Sequence, residues 1–216
     1  MTASGFLLQR VDICGRNSQM RGNRWDDHYA RRARKEHRLA RSVYKLEEMD
    51  RKFRLIRPAL RVLDLGCYPG SWSQYALMRV GPKGYVLGLD QMRPDRLEAP
   101  NFAFFQADIL HWDPSQLTDR WGPVDVVLSD LAPKTTGNRS TDAARSMQLC
   151  RKALEVATSA LRKGGDFLCK IFEGEESVAF RQEAGLLFRR TRLFKPAAVR
   201  KGSREIYLIG WGKRSA

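Results

Sequence analysis

Residues 62–72 read Val62-Leu63-Asp64-Leu65-Gly66-Cys67-Tyr68-Pro69-Gly70-Ser71-Trp72. An apolar, β-rich run carries an acid near its end, turns at glycine and proline, and enters a helical pattern. That is the strand–turn–helix unit of a mostly parallel α/β sheet. Ligands of such sheets bind beyond the carboxyl ends of the strands, and a glycine turn there lets backbone N–H groups approach a ligand closely. The turn has neither the G-x-G-x-x-G spacing of a dinucleotide site nor the G-K-[ST] ending of a P-loop, so neither a nicotinamide cofactor nor ATP is favoured.

Downstream, short β-rich runs keep alternating with helical ones. Strands are predicted over Arg61–Leu65, Tyr85–Asp90, Phe102–Asp108, Val124–Asp130, Asp166–Phe172, Leu187–Phe194 and Glu205–Trp211. The clearest helix lies between the fourth and fifth of these. Met147, Cys150, Leu154, Ala157 and Leu161 recur there at three and four, Ser140 or Thr141 caps the start, and Gly164-Gly165 ends it. Acids stand at or near three successive strand ends, at Asp64, Asp90 and Asp108. Asp90 is placed where a ribose hydroxyl pair needs an acceptor, and Asp108 where an adenine amino group can be met. The fourth strand leads into Ser129-Asp130-Leu131-Ala132-Pro133. The fifth contains Lys170 inside Phe167-Leu168-Cys169-Lys170-Ile171-Phe172, and lysine is almost never fully buried unless paired. A lysine packed near other cations and away from water becomes a base near neutral pH. The last strand opens on Glu205, another acid at the rim of an apolar segment.

Upstream of Pro58 the texture differs. Residues 1–24 have no sustained periodicity and read as a loose basic arm. Trp25–Phe53 carries one helical pattern, with Leu39, Val43, Leu46 and Phe53 at steps of four, three and seven, and with Arg38, Arg41, Lys45 and Lys52 on one flank. The domain plan is therefore an arm (1–24), a basic helical segment (25–57) and one α/β domain (58–216). Between Arg21 and Arg54 there are 12 Lys/Arg against 6 acids, and Arg189–Arg204 holds 7 Lys/Arg and no acid. Over all 216 residues, 39 Lys+Arg against 24 Asp+Glu leave a net charge of +15. Such an excess favours a polyanion. RNA is the expected partner, with Arg31, Arg32, Arg34, Lys35, Arg38 and Arg41 in the first basic segment and Lys195, Arg200, Lys201 and Arg204 in the second as candidate contacts. DNA is not expected, because no helix-turn-helix signal accompanies the charge.

Hydrophobic residues make up 43% of the chain, enough for a real core, which excludes a disordered chain or a disulfide-stapled miniprotein. No apolar run approaches the length of a membrane span and the amino terminus does not read as a leader, so a cytoplasmic protein without a membrane partner is expected. Cys14, Cys67, Cys150 and Cys169 form no C-x-x-C pair, and His28, His37 and His111 lack ligand spacing, so no metal site is expected.

Several separated motifs occur in a family's order: Arg41-Ser42-Val43-Tyr44-Lys45-Leu46, Asp64 to Gln74, Ser129 to Pro133, Gly164-Gly165 followed by Lys170-Ile171-Phe172-Glu173-Gly174-Glu175, and Lys195-Pro196 followed by Ser203-Arg204-Glu205-Ile206-Tyr207. On these the chain, from about Arg41 to Lys213, resembles the FtsJ/RrmJ family of S-adenosylmethionine-dependent RNA 2′-O-methyltransferases. The resemblance implies a Rossmann-like class I methyltransferase fold: a seven-stranded, mostly parallel sheet with helices on both faces and an antiparallel last strand. It implies a catalytic set of Lys45, Asp130, Lys170 and Glu205, and S-adenosylmethionine held by Gly66, Gly70, Trp72, Asp90, Asp108 and Asp130. Lys170 would act as base or hydroxyl-orienting group with Lys45 beside it. Tyr68 stands where the family usually has a small residue. The Gly174-Glu175 and Ser-Arg-Glu-x-Tyr features are similar to those of bacterial large-subunit rRNA enzymes, which implies a monomer acting on a uridine of the A-loop in the large ribosomal subunit or its rRNA. Relatives acting on tRNA or mRNA caps share every catalytic residue, and an idle ribosome-assembly factor of the same fold is the rival from another class.

Overall fold

The computed structural model describes residues 24–134 and 136–215, so the arm expected over residues 1–24 lies outside the described residues except for Arg24. Seven strands, β1 Arg61–Leu65, β2 Tyr85–Asp90, β3 Phe102–Gln106, β4 Val124–Ser129, β5 Leu161–Phe172, β6 Phe188–Phe194 and β7 Glu205–Lys213, form one sheet in the order β3-β2-β1-β4-β5-β7-β6. Strands β1 to β5 pair in parallel, and β7 is inserted antiparallel between β5 and β6. The chain leaves β1 toward β2 and β3, then returns to the other side of β1 to lay down β4. Connections diverge at that point, which opens a crevice beyond the ends of β1 and β4.

Strand alternation sends side chains to two cores. Leu63 and Leu65 of β1, Val127 of β4 and Phe167, Cys169 and Ile171 of β5 meet α4 (Ser115–Trp121), α5 (Arg139–Ala160) and α6 (Glu175–Leu187) on one face. Val62, Val126, Leu128 and Leu168 meet α1 (Arg24–Lys35), α2 (Val43–Phe53) and α3 (Ser71–Val80) on the other. By the same period of two, Asp64, Lys170 and Tyr207 fall on the α1–α3 face.

The structure corrects several sequence expectations. The helix expected over Trp25–Phe53 is two helices. His37 takes a left-handed conformation (φ 53°) and Arg38 N–H donates to Ala33 O at 2.8 Å, which closes α1 in a Schellman turn. Residues 36–42 then cross the β1–α3 turn, where Ser42 Oγ meets Ser71 Oγ at 2.7 Å and Trp72 Nε1 donates to Ser42 O at 2.9 Å. Arg38, Arg41, Lys45 and Lys52 therefore do not share a flank. β3 and β4 stop short of Asp108 and Asp130, though Asp130 N–H still donates to Leu65 O of β1 at 3.3 Å. Helix α5 is capped by Asn138, whose Oδ1 accepts from Ser140 N and Thr141 N, and it ends at Ala160 rather than at Gly164-Gly165. Those glycines serve β5 instead. Between the pairings Val124↔Leu161 and Val126↔Asp166, β5 must fit extra residues, Gly164 has φ 80°, and a Cβ on Gly165 would sit 2.9 Å from Asp125 O.

Asp50 fastens the helical layer. This buried carboxylate accepts Ile56 N–H at 2.7 Å with Oδ1, and Tyr75 O–H at 2.9 Å and Arg79 Nε–H at 2.8 Å with Oδ2. It joins the end of α2 to α3. Asp50→Ala strands three donors, two of them in the interior, and is expected to cost about 3 kcal/mol and lower Tm by about 6–12 °C. Arg79→Ala, which removes a half-exposed guanidinium, is expected to cost less; a melting series with the two in reverse order contradicts this.

Candidate active site

Three strands and one helix bring five polar side chains to one line. Lys170 of β5, 8% exposed, places Nζ 2.7 Å from Asp130 O and 3.3 Å from Asp130 Oδ1. Asp130 Oδ1 is 2.9 Å from the Tyr207 hydroxyl, which is also 2.5 Å from Glu205 Oε1. Lys45 Nζ, from α2, ends the line 2.5 Å from Glu205 Oε1. Register explains the arrangement. Lys170 pairs with Tyr207 and Phe172 with Glu205 across the β5–β7 ladder, and Glu205 and Tyr207, two apart, share a face. The order is Lys–Asp–Tyr–Glu–Lys, so each ammonium has its own carboxylate, and the direct lysine–lysine approach expected from sequence is replaced by alternating charge. Tyr207 has one hydroxyl proton for two acceptors. Burial, reinforced by the charges of Asp130 and Glu205, raises its pKa well above the ordinary phenol value, so that proton stays in place.

Beside Asp130 opens a cavity of about 720 Å³ that includes Gly66, Tyr68, Asp90, Asp108, Ile109 and Leu131 in its lining. Asp90 accepts Tyr68 N–H at 2.9 Å and Met92 N–H at 3.0 Å, so it pins the β1–α3 turn as well as facing the cavity. Asp108 accepts Leu110 N–H at 3.0 Å. Gly66 (φ 76°) leaves no room for a side chain, because a Cβ would meet Leu131 Cδ2 at 2.9 Å. Under the same rim, Asp64 receives Ser73 Oγ–H at 2.6 Å on Oδ2, while its Oδ1 is buried without a partner. Asp90, Asp108 and Asp130 outnumber Lys134 and Arg145 in a lining that also offers apolar Ile109, Leu110 and Leu131, which fits a ligand with a flat ring, a hydroxylated sugar and a positive charge. S-adenosylmethionine has those parts. Gly70 and Trp72, expected to touch the cofactor, do not line this cavity. Gly70 (φ 105°) is where Leu39, Pro94 and Leu97 converge, and Trp72 lies between Ser42 and the Tyr207 ring, 5.9 Å from its centroid.

A family model of FtsJ-like methyltransferases matches residues 39–213. The chain belongs to the FtsJ-like methyltransferase family. It is 46% identical over 192 residues to ribosomal RNA large subunit methyltransferase E of Desulfatibacillum aliphaticivorans, covering 89% of this chain and 93% of that protein. It is 47% identical over 191 residues to the protein of the same name in Bdellovibrio bacteriovorus, covering 87% and 97%. Among solved structures, a ribosomal RNA methyltransferase from Plasmodium falciparum superposes with a TM-score of 0.72 at 26% identity, over 82% of this chain and 99% of that one.

In this FtsJ-like chain the expected RNA contacts divide into groups. Arg41, Arg200 and Lys201 line a basic depression of about 330 Å³, and Arg41 and Arg200 also line a second of about 310 Å³ that holds Lys45 and Glu205. Burial and the Arg200 charge lower the Arg41 pKa from its ordinary value, and Arg41 Nη2 donates to Ala198 O at 3.2 Å. Arg34 and Arg38 line another cavity, next to Tyr68. Arg31 and Lys35 are exposed on α1. The others have intramolecular roles. Arg32 pairs with Glu36 at 2.7 Å and lies 4.4 Å from the Tyr44 ring centroid, while Lys195 approaches Glu173 Oε2 at 3.4 Å and Arg204 Nε donates to Glu173 O at 2.9 Å.

Sequence reasoning gave Tyr207 no role, because an aromatic residue inside an apolar strand reads as core. The available signal was its spacing of two from Glu205. Lys170→Ala removes the ammonium held on Asp130 and is expected to lower methyl transfer by about 10³-fold or more. Glu205→Gln, one tyrosine further away, is expected to lower it about tenfold. Equal losses in single-turnover assays would contradict this ordering.

Burial, opposed by the Ser73 hydrogen bond and reinforced by Asp130 and Asp90, pushes the Asp64 carboxyl up to about 7. The folded chain thus holds that proton more tightly than the unfolded one, where aspartate titrates near ~3.9. The resulting stability is complete below about pH 4 and is lost as the pH rises toward 7. The stability of the parent relative to an Asp64→Asn variant is expected to fall by about 3–4 kcal/mol across that window. Parallel stability curves from urea titrations would contradict it.

Proposed function

We propose that the protein transfers a methyl group from S-adenosylmethionine to a ribose 2′-hydroxyl of ribosomal RNA, and that its target is a uridine in the A-loop of the bacterial large subunit. The observation that carries this reading is the Lys170–Asp130–Tyr207–Glu205–Lys45 line beside the cavity lined by Asp90 and Asp108 and beside basic depressions. The relatives named as large-subunit rRNA methyltransferases support the substrate. When bound, S-adenosylmethionine supplies an activated methyl group. Asp90 and Asp108 would hold its sugar and base, with Asp130 at the reacting end.

The chain's own task is alignment of a poor nucleophile. Lys170 directs donors to two oxygens of Asp130 and keeps a third ammonium hydrogen for the ribose oxygen. Holding reacting atoms in line contributes roughly 7–11 kcal/mol, whereas a positioned base contributes about 10²–10⁴-fold in rate, so positioning outweighs proton removal. Tyr207 and the Lys45–Glu205 pair keep Asp130 from turning. The basic surfaces bring the RNA, with phosphate contacts giving affinity and little sequence choice. The protein works in the cytoplasm as a monomer in this reading.

Undermethylated large subunits, free large-subunit rRNA, tRNA and capped RNA, each incubated with methyl-labelled cofactor, test it. Label is expected in 2′-O-methyluridine from the large subunit or its rRNA. Label confined to tRNA or caps would replace the substrate, and absence of both transfer and cofactor binding would favour an idle assembly factor.

A further inference from the structure

We infer that the cavity between Tyr68 and the end of α1 is an RNA subsite, in which the base of a nucleotide flanking the methylated one stacks on Tyr68 and its phosphate is held by Arg34, Arg38 and Arg96. The inference rests on the RNA methyltransferase reading and adds a place for the neighbouring nucleotide.

The cavity is about 570 Å³, within the range of small-ligand sites, and its lining includes Arg34, His37, Arg38, Tyr68, Asp95 and Arg96. Tyr68 is 42% exposed and borders both this cavity and the one beside Asp130, so a nucleotide on its ring adjoins the reacting site. Three arginines face one aspartate in the lining. Among the described residues none of these guanidinium groups has a carboxylate partner, and Arg38 Nε is buried without a hydrogen bond while its Nη1 reaches only Met78 Sδ at 3.1 Å. Positive charge held this way, with an aromatic face beside it, is the chemistry of single-stranded nucleic-acid sites, where bases stack and arginines take phosphates.

The cavity is also pre-formed. Its three segments meet at Gly70, where a Cβ would lie 3.0 Å from Leu39 Cδ1, 3.1 Å from Pro94 Cβ and 3.3 Å from Leu97 Cδ2. Tyr68 N–H is tied to Asp90 and Leu39 N–H to Gln74 Oε1. Arg34 comes from α1, Arg38 from the linker after it, Arg96 from the β2–β3 connection and the tyrosine from the β1–α3 turn. The break between α1 and α2 is what places them together: a continuous helix would carry Arg38 along its own axis.

The test measures direct binding of undermethylated large subunits and of a short oligouridylate across a salt series, with calorimetric titration of S-adenosylmethionine alongside. Tyr68→Ala is expected to weaken RNA binding between about fivefold and a hundredfold, with Tyr68→Trp close to the parent. Arg38→Gln with Arg96→Gln is expected to reduce the slope of log affinity against log salt by about 1.4–1.8. Unchanged RNA affinity and slope would overturn the inference, as would a loss of cofactor affinity alone, which would assign Tyr68 to the methyl-donor cavity. Binding is read without turnover, so a parent protein that binds RNA through Tyr68 but methylates none of the RNAs offered would sink the proposed activity and leave the subsite standing.

Discussion

One phenolic proton shared between two carboxylates organises this molecule. Asp130 follows β4, Glu205 opens β7, and the two would repel each other across the mouth of the sheet. The Tyr207 hydroxyl between them, and a lysine on each flank, turn that repulsion into a line of alternating sign. Two ammonium groups can be held at the edge of a core only with such partners, because burying an unpaired charge costs several kcal/mol. The line also sets the backbone: it requires β7 beside β5, in the register that opposes Lys170 to Tyr207, and α2 close enough to deliver Lys45.

Charge is sorted on a larger scale as well. The protein carries a large positive excess, yet the crevice at the topological switch collects Asp90, Asp108 and Asp130, with Asp64 beneath them. Arg41 and Arg200 line two basic depressions, and Arg34, Arg38 and Arg96 line the cavity that shares Tyr68 with the crevice.

The parts of this plan that were legible in sequence are those where a residue violated its surroundings. Lys170 in an apolar strand and acids at successive strand ends stood out because burial and charge conflict there, and the sheet followed from alternating textures. What was hidden depended on contacts between distant segments. The turn at His37 has no glycine or proline to mark it, since the break is imposed by docking of residues 38–42 on the β1–α3 turn. Asp50 reads as one more charge on a charged helix until Tyr75 and Arg79 arrive from α3. Trp72, next to the glycine turn, invited a role in the cofactor cavity, but its indole is taken up by Ser42 and Tyr207. Gly164-Gly165 looked like a helix stop, and only the pairing of β4 with β5 shows that it absorbs a register shift.

The insertion of β7 into the sheet interior has a consequence for how the protein matures. Among the described residues strand β6 pairs with β7 alone, and β5 has a bare edge until β7 arrives, so the preceding strands cannot close the sheet by themselves. Pairings between segments this distant in sequence form slowly, and an unpaired apolar strand is a template for self-association in the meantime. Tyr207 and Glu205 ride on that same strand. Completion of the sheet and completion of the charged line are thus one event, and a chain cut ahead of Glu205 bares the β5 edge and lacks Glu205 and Tyr207 at the same time.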